Sequence, residues 1–423
     1  MKLGFAQGFG YRRVDLSELQ EEFMTAHARP PRSAAGALTA LLLICALSGC
    51  GGDRSVSGTA APSVHDAPSA GSSPQASPPA RTPTPETGPE TSECASVVSA
   101  MDVRARVAQL VVPGVDAGNP DAVADLVRTY QVGGIFVGGN KTTLLQNDAL
   151  SEVQRAAEVP VSVAVDEEGG RVQRIDDLDG ALPSARQLAA TKSPDEVRAL
   201  GEQRGKQLRA RGITVDYAPD ADVSDEPDDA VIGDRSYSPD PEKVRTYAMA
   251  FAEGLRAGGV QPVLKHFPGH GHGSGDSHRG TVTTPPLDQL LKVDLVPYRE
   301  LAQYGPVGVM VGHLEVPGLT DGTPASLSPA AYRLLRTEFH FTGPVITDDL
   351  GGMKAITDRY PLPEAVLDAL QAGADQALFS SGTVDVRAVL DRLTKAADSG
   401  ELPADHVTAS VERVLAAKGY CTP

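Results

Sequence analysis

From position 94 onward, short apolar runs alternate with longer stretches whose apolar residues recur every three or four positions. The runs predict strands at Ala108–Val112, Gly133–Val137, Val161–Val165, Thr214–Ala218, Gln261–His266, Val307–Val311, Val345–Thr347 and Gln376–Phe379. The periodic stretches predict helices, among them Ala122–Tyr130, Pro241–Ala257, Leu287–Ala302 and Val384–Ala396. Mostly apolar strands that alternate with amphipathic helices belong in a parallel sheet covered on both faces. Eight of them in one domain predict an α/β fold, a single (β/α)8 TIM-like barrel over 94–423. A doubly wound open sheet is the competing architecture.

The chain ahead of Cys94 breaks this pattern. Ala35–Leu47 is almost entirely apolar or small, Arg29 and Arg32 lie just upstream, and Leu47-Ser48-Gly49-Cys50 follows. A basic segment, an apolar segment too short to span a bilayer comfortably and small residues at a cleavage point predict an export signal with a lipobox over 1–50. Cys50 is then the lipidation site, and its acyl chains would hold the protein on the outer face of a bacterial cell membrane, in the cell envelope. Residues 1–23 carry Asp15, Glu18, Glu21 and Glu22, which do not suit an export signal, so translation is expected to begin at Met24. Positions 51–93 are rich in Pro, Ser, Ala and Thr and contain no Leu, Ile or Phe. Such a segment cannot bury enough apolar surface to offset its ordering entropy, and it is expected to be a disordered linker reaching roughly 35 Å.

Composition narrows the function. The 423-residue chain has a formal net charge of −17 and a sequence pI near 5.0, which argues against nucleic-acid binding. Of the four cysteines, Cys45 lies in the export segment and Cys50 in the lipobox, while Cys94 and Cys421 bracket the folded part. In an exported protein the last two are expected to pair as a disulfide that joins the ends of the domain, with two free thiols as the alternative.

Candidate chemistry gathers just after the predicted strands, where barrel enzymes place their sites. Asp166-Glu167-Glu168-Gly169-Gly170-Arg171-Val172-Gln173-Arg174 follows one strand, Gly312-His313 a second and Asp348-Asp349-Leu350 a third. The richest stretch runs from Lys265-His266-Phe267-Pro268-Gly269-His270-Gly271 to Asp276-Ser277-His278, with four histidines and four glycines in fourteen positions. Its histidines could be read as a metal site, but their spacing matches no compact metal-binding motif, so neither metal nor cofactor is expected.

These segments closely resemble glycoside hydrolase family 3, specifically its β-N-acetylglucosaminidase (β-hexosaminidase) branch in a bacterial lipoprotein form. The matches are Val165–Arg174, Ile232-Gly233-Asp234-Arg235-Ser236-Tyr237, the Lys265–His278 stretch and Thr347-Asp348-Asp349-Leu350, in the family's order. The resemblance implies that Asp348 is the nucleophile and that His278, oriented by Asp276, is the acid/base. It implies sugar contacts for Asp166, Arg174, Arg235, Lys265 and His266. Retaining glycoside hydrolysis needs a carboxylate on one face of the anomeric carbon and a proton donor on the other, and a D-x-H spacing in extended chain puts both side chains on one side.

The expected activity is removal of terminal GlcNAc from peptidoglycan fragments through a covalent glycosyl-Asp intermediate. With no Trp and 4% aromatic residues the chain offers no stacking platform for a long glycan, so one terminal sugar held by hydrogen bonds is expected. Phosphorolysis, β-glucosidase activity and a non-catalytic cell-wall binding lipoprotein are the alternatives. Glu167 and Glu168 are expected to be supporting or surface groups, Asp349 a satisfied strand-end carboxylate and His270 a loop-structuring residue. Leu350-Gly351-Gly352-Met353 is one residue longer than the family's usual spacing, so the loop after the nucleophile is expected to differ.

Overall fold

The computed structural model describes residues 92–380 and 385–422; the expected export signal, Met24, Cys50 and the expected linker up to position 91 lie outside them, and Ser92 and Glu93, placed in that linker, begin the helix Glu93–Ala100. Among the described residues ten strands are present: β1 (Val111–Pro113), β2 (Gly134–Phe136), β3 (Ser162–Val165), β4 (Val215–Asp216), β5 (Gln261–Phe267), β6 (Val282–Thr283), β7 (Gly308–Val311), β8 (Leu314–Glu315), β9 (Val345–Thr347) and β10 (Ala377–Phe379). Six form one sheet in the order β2-β3-β4-β5-β7-β9, and β1 pairs with β10; every pairing is parallel. Single pairings, Gly114 with Phe136 and Ile346 with Gln376, join that two-stranded pair to both edges of the larger sheet. Strands β6 and β8 make a separate parallel pair.

The eight main strands sort their apolar residues into two sets. Most belong to the large core shared with the helices. A smaller cluster holds Val112, Phe136, Ala164, Tyr217, Val263, Met310, Ile346 and Leu378, one from each main strand or the residue just after it. Tyr217 stacks on Phe136 within this cluster, with ring centroids 5.6 Å apart.

Local chemistry explains the helices. Ser193 and Glu196 form a reciprocal cap ahead of Pro194–Ala210, and Asp240 caps Pro241–Ala257; both helices carry Pro at the first position, where its missing N–H costs nothing. These two helices cross at glycines: a Cβ on Gly201 would lie 2.7 Å from the Phe251 carbonyl oxygen, and one on Gly258 2.6 Å from the Gly205 Cα. The expected helix over Leu287–Ala302 is replaced by a short helix, Leu287–Leu290, and 3-10 turns at Val296–Tyr298 and Leu301–Tyr304. Pro297 removes a backbone donor, and Glu300 takes a left-handed conformation at φ 56°. Leu290, Leu295, Val296, Tyr298 and Leu301 are still buried, by turns in place of a continuous helix, while Leu291 is exposed.

Cys94 and Cys421 form a disulfide with a Cα–Cα distance of 5.1 Å. The Cys94 N–H donates to the Thr422 carbonyl at 3.1 Å, so the two ends of the domain are also joined by backbone.

Candidate active site

The C-terminal ends of β3, β5, β7 and β9 and the chain just after β4 bring the conspicuous polar residues together. At the end of β5 the buried ammonium of Lys265 lies 2.6 Å from Asp166 Oδ1 and 2.5 Å from Glu168 Oε1. Glu168 also accepts two bonds from Arg235, Nε at 2.8 Å and Nη2 at 2.9 Å. Burial disfavours both charges of the Lys265–Glu168 pair, but each partner stabilises the other. Lys265 is held above the ordinary lysine value, and Glu168 below the ordinary carboxylate range by Arg235 and Lys265. Arg174 Nη2 approaches the other oxygen of Asp166 at 3.5 Å, and its backbone N–H donates to Glu167.

A second set forms beneath Arg235. His266 donates from Nδ1 to Asp222 Oδ2 at 2.7 Å, and its Nε2 lies 3.4 Å from Arg235 Nη2. Asp222 also accepts the His270 N–H at 2.6 Å. Burial opposes the charge of Asp222, yet His266 and these bonds hold it down at about 2. Its neighbour Asp220, 3.4 Å from Arg235, is pushed well up by burial and by Asp222. Asp220, Asp222 and His266 are close enough together to bracket a cation, but the guanidinium of Arg235 already stands beside two of them.

Asp348 follows β9 directly. Its N–H donates to the Val311 carbonyl at 2.9 Å, and its Oδ1 accepts the Asp349 N–H at 2.8 Å. Burial raises its carboxyl, but His266, His313, the Asp349 N–H and His278 outweigh that and hold it below the ordinary carboxylate value. Asp349 turns the other way: Oδ1 accepts from the N–H groups of Gly351 at 2.9 Å, Gly352 at 3.0 Å and Ser380 at 2.6 Å. It organises the Gly-Gly loop and binds the end of β10 to it. His313 bonds Ser326 Oγ at 2.7 Å and the Asp349 carbonyl at 3.0 Å, and burial lowers its pKa.

The glycine-rich loop after β5 carries the Asp276–His278 pair. Asp276 Oδ1 accepts both the ring Nδ1–H of His278 at 2.9 Å and its backbone N–H at 2.9 Å. That bond raises His278 above the ordinary imidazole value, with the charges of Asp276 and Asp348 adding to it against desolvation. In return it holds Asp276 at about 2. The bond from Nδ1 to Asp276 fixes the orientation of the ring. A carboxylate held toward its ionised form and an imidazole held by a carboxylate toward its protonated form are what a nucleophile and a proton donor require.

The structure thus brings Asp166, Arg174, Arg235, Lys265 and His266 into one ion-pair network, with Asp348 and the Asp276–His278 pair within electrostatic reach. Of the two expected roles Glu168 takes the supporting one: it is a buried ion partner of two cations. Glu167 is fully buried beside Arg204 at 3.5 Å and is likewise no surface group. Asp220, Asp222 and a bonded role for His313 were not foreseen. Tyr217-Ala218-Pro219-Asp220-Ala221-Asp222, a D-x-D just past an apolar run, was the signal for the first two.

Comparison with known proteins follows the same residues. Residues 102–417 match the model of the glycosyl hydrolase family 3 N terminal domain. Beta-hexosaminidase LpqI of Mycobacterium tuberculosis is 55% identical over 335 residues, 77% of this chain and 85% of that protein. The solved structure of M tuberculosis LpqI superposes with a TM-score of 0.74 at 53% identity, covering 78% of this chain and 97% of its own. A family 3 β-N-acetylglucosaminidase from Paenibacillus sp. gives 0.71 at 32% identity, over 76% of this chain and 62% of that one.

Proposed function

The chain belongs to glycosyl hydrolase family 3, and on that footing we propose that it is a retaining exo-β-N-acetylglucosaminidase. The observation that carries the mechanism is Asp348, a buried carboxylate kept ionised by histidines, facing a loop that presents an aspartate-oriented histidine. In the first step an Asp348 oxygen bonds to the anomeric carbon as the glycosidic C–O bond breaks, and His278 gives the Nε2 proton to the departing oxygen. In the second, water attacks the same carbon, its proton passes to His278, and the carboxylate of Asp348 leaves; two inversions give net retention. Lys265, Arg235, Asp166, His266 and Arg174 hold the sugar hydroxyls, and their mutual ion pairs keep them oriented before substrate arrives.

The eight main strands are read as one closed (β/α)8 barrel. The support is the pair of single pairings at the seam and the inner cluster drawn from all eight. The substrate is proposed to be GlcNAc-terminated peptidoglycan fragments, and the protein to be anchored through Cys50 on the outer face of the cell membrane. The lipobox pattern, the Pro/Ser-rich tether and a disulfide suited to an oxidising compartment support that placement.

Hydrolysis of aryl β-N-acetylglucosaminide beside aryl β-glucoside, each with and without phosphate, tests the activity. Release from the first that ignores phosphate is expected. Acceleration by phosphate with sugar 1-phosphate as product would replace hydrolysis by phosphorolysis. Turnover of neither sugar would leave a binding protein. Palmitate labelling lost in a Cys50→Ala variant tests the anchor.

A further inference from the structure

Ser277 separates the two members of the Asp276–His278 pair, and it behaves unlike both. Between Gly273 and Gly280 it is the only buried residue, 4% exposed, whereas the Asp276 and His278 side chains are 23% and 38% exposed. What covers it is the segment that follows Asp348. The Ala355 N–H donates to the Ser277 carbonyl at 3.0 Å, and Ser277 Oγ donates to Met353 Sδ at 3.4 Å.

Both contacts have a physical basis. Ala355 stands in the first turn of Lys354–Thr357, where helix N–H groups have no partner of their own, and Ser277 satisfies one. Met353 is itself nearly buried and presents a polarisable sulfur to the hydroxyl. The longer Leu350-Gly351-Gly352-Met353 segment brings Met353 there by folding over Asp349, whose carboxylate accepts from Gly351 and Gly352.

The bonds between Asp276 and His278 fix the ring relative to the aspartate, and the contacts of Ser277 tie the same turn to the segment that follows Asp348. At the neck of the loop, the Ser274 N–H donates to the Thr283 carbonyl at 2.8 Å and the Thr283 N–H to Ser274 Oγ at 2.9 Å. The neck therefore leaves the intervening stretch to be placed by its apex. Residues 277–279 form a turn that starts from Asp276, whose carbonyl accepts the Arg279 N–H at 2.9 Å and the Gly280 N–H at 3.2 Å, so anchoring Ser277 holds the turn that carries both Asp276 and His278.

We propose that Ser277, clasped by Met353 and the Ala355 N–H, is a positioning residue that registers the Asp276–His278 pair against Asp348. The clasp couples the proton donor to the segment carrying the nucleophile, so the donor reaches the leaving oxygen only while the apex is docked. This rests on the reading of His278 as the acid, and the test separates the two.

The test compares Ser277→Ala, Met353→Leu, the double variant and His278→Ala in the full chain, on phenyl and dinitrophenyl β-N-acetylglucosaminides. A poor leaving group needs the acid and a good one does not. For Ser277→Ala, kcat/KM on the phenyl substrate is expected to fall about 5- to 10-fold, a part of what a general acid contributes, with less than about 2-fold change on the dinitrophenyl substrate. Met353→Leu should act in the same direction and the double variant be no worse than the worse single one, as expected of residues acting as one unit. Equal losses on both substrates, no loss, or additive losses overturn the clasp while a leaving-group-selective His278→Ala leaves the mechanism standing. If His278→Ala is itself unselective, the acid assignment and the clasp fall together.

Discussion

The sugar-binding network and the proton-donor loop sit at the same end of the strands, yet they are built in opposite ways. Lys265, Glu168, Asp222 and His266 are buried, lie at or just past strand ends, and answer each other's charge through several ion pairs. Asp276 and His278 lie on a glycine-rich loop, keep 23% and 38% of their side-chain surface, and are bonded to each other twice. Recognition must be fixed before substrate arrives, because orientation lost there is lost in every step. Proton transfer needs a group that reaches the leaving oxygen and then lets the aglycone out, which a loop permits and a strand end does not.

The largest expected effect falls on Asp348, which belongs to the rigid side by position and to the chemistry by role. Asp348→Ala should lower kcat on dinitrophenyl β-N-acetylglucosaminide by roughly four orders of magnitude or more. The far-ultraviolet spectrum should be unchanged, since Asp349 and not Asp348 holds the adjoining loop. Residual turnover within tenfold of the native protein would move the nucleophile elsewhere.

Breaking the buried network should cost stability as well as sugar binding. Lys265→Met leaves Glu168 with a desolvated charge facing Arg235 alone, and removal of one partner of a buried pair costs about 3–5 kcal/mol. Denaturant unfolding would measure it. A loss below about 1 kcal/mol would mean that the network is solvated and the contrast with the loop is false.

The loop should answer in the reverse sense, in rate and pH dependence with little change in stability. Asp276→Ala is expected to cost about 10- to 100-fold on the phenyl substrate and little on the dinitrophenyl one. Asp276 raises His278 and the histidines hold Asp348 down, so kcat/KM should be bell-shaped. Its alkaline limb should lie above the ordinary imidazole value of about 6.5 and its acid limb below the ordinary aspartate value of about 3.9. Without Asp276 the alkaline limb should move toward lower pH. The same shifts set the loop's stability. The raised His278 contributes fully below the ordinary imidazole value and loses its contribution as pH rises through its folded value. Asp276 contributes above the ordinary carboxylate value and loses it as pH falls toward about 2. An alkaline limb that ignores Asp276→Ala would detach the donor from this pair.

Much of this division was legible in the sequence. Val345–Thr347 was read to its ends, and the other seven main strands to within a few residues, because strands apolar on both faces stand out against amphipathic helices. The groups at their ends were visible as polar residues out of register with core packing. What was not legible depends on distant chain. Nothing near Glu168 indicates that Lys265 and Arg235 fold onto it. Nor does Ser277 betray its burial, since Met353 and Ala355 cover it from another loop. Asp220 and Asp222 lie just past the predicted strand Thr214–Ala218, but the observed strand ends at Asp216, and only the path of the chain after it carries them to Arg235 and His266.

The smallest expected effect is the sharpest test of where freedom is built in, and it uses glycine in both regions. At Gly275 an added Cβ would meet nothing within 4 Å, and the residue is not in the left-handed region. Gly275→Ala therefore strains nothing in the folded protein and restricts the unfolded chain, which should stabilise by about 0.4–1 kcal/mol. At Gly201 the same methyl group would press on the Phe251 carbonyl between two packed helices, so Gly201→Ala should destabilise by about 1–3 kcal/mol. The two substitutions should thus shift Tm in opposite directions. Activity should sort the other way. Gly201→Ala, remote from the site, should leave kcat/KM unchanged, while Gly275→Ala, by stiffening the stretch next to Asp276, should slow the phenyl substrate by less than about threefold. Should Gly275→Ala destabilise as much as Gly201→Ala, the loop is packed as tightly as the helices, and the proton donor owes its exposure to position and not to freedom.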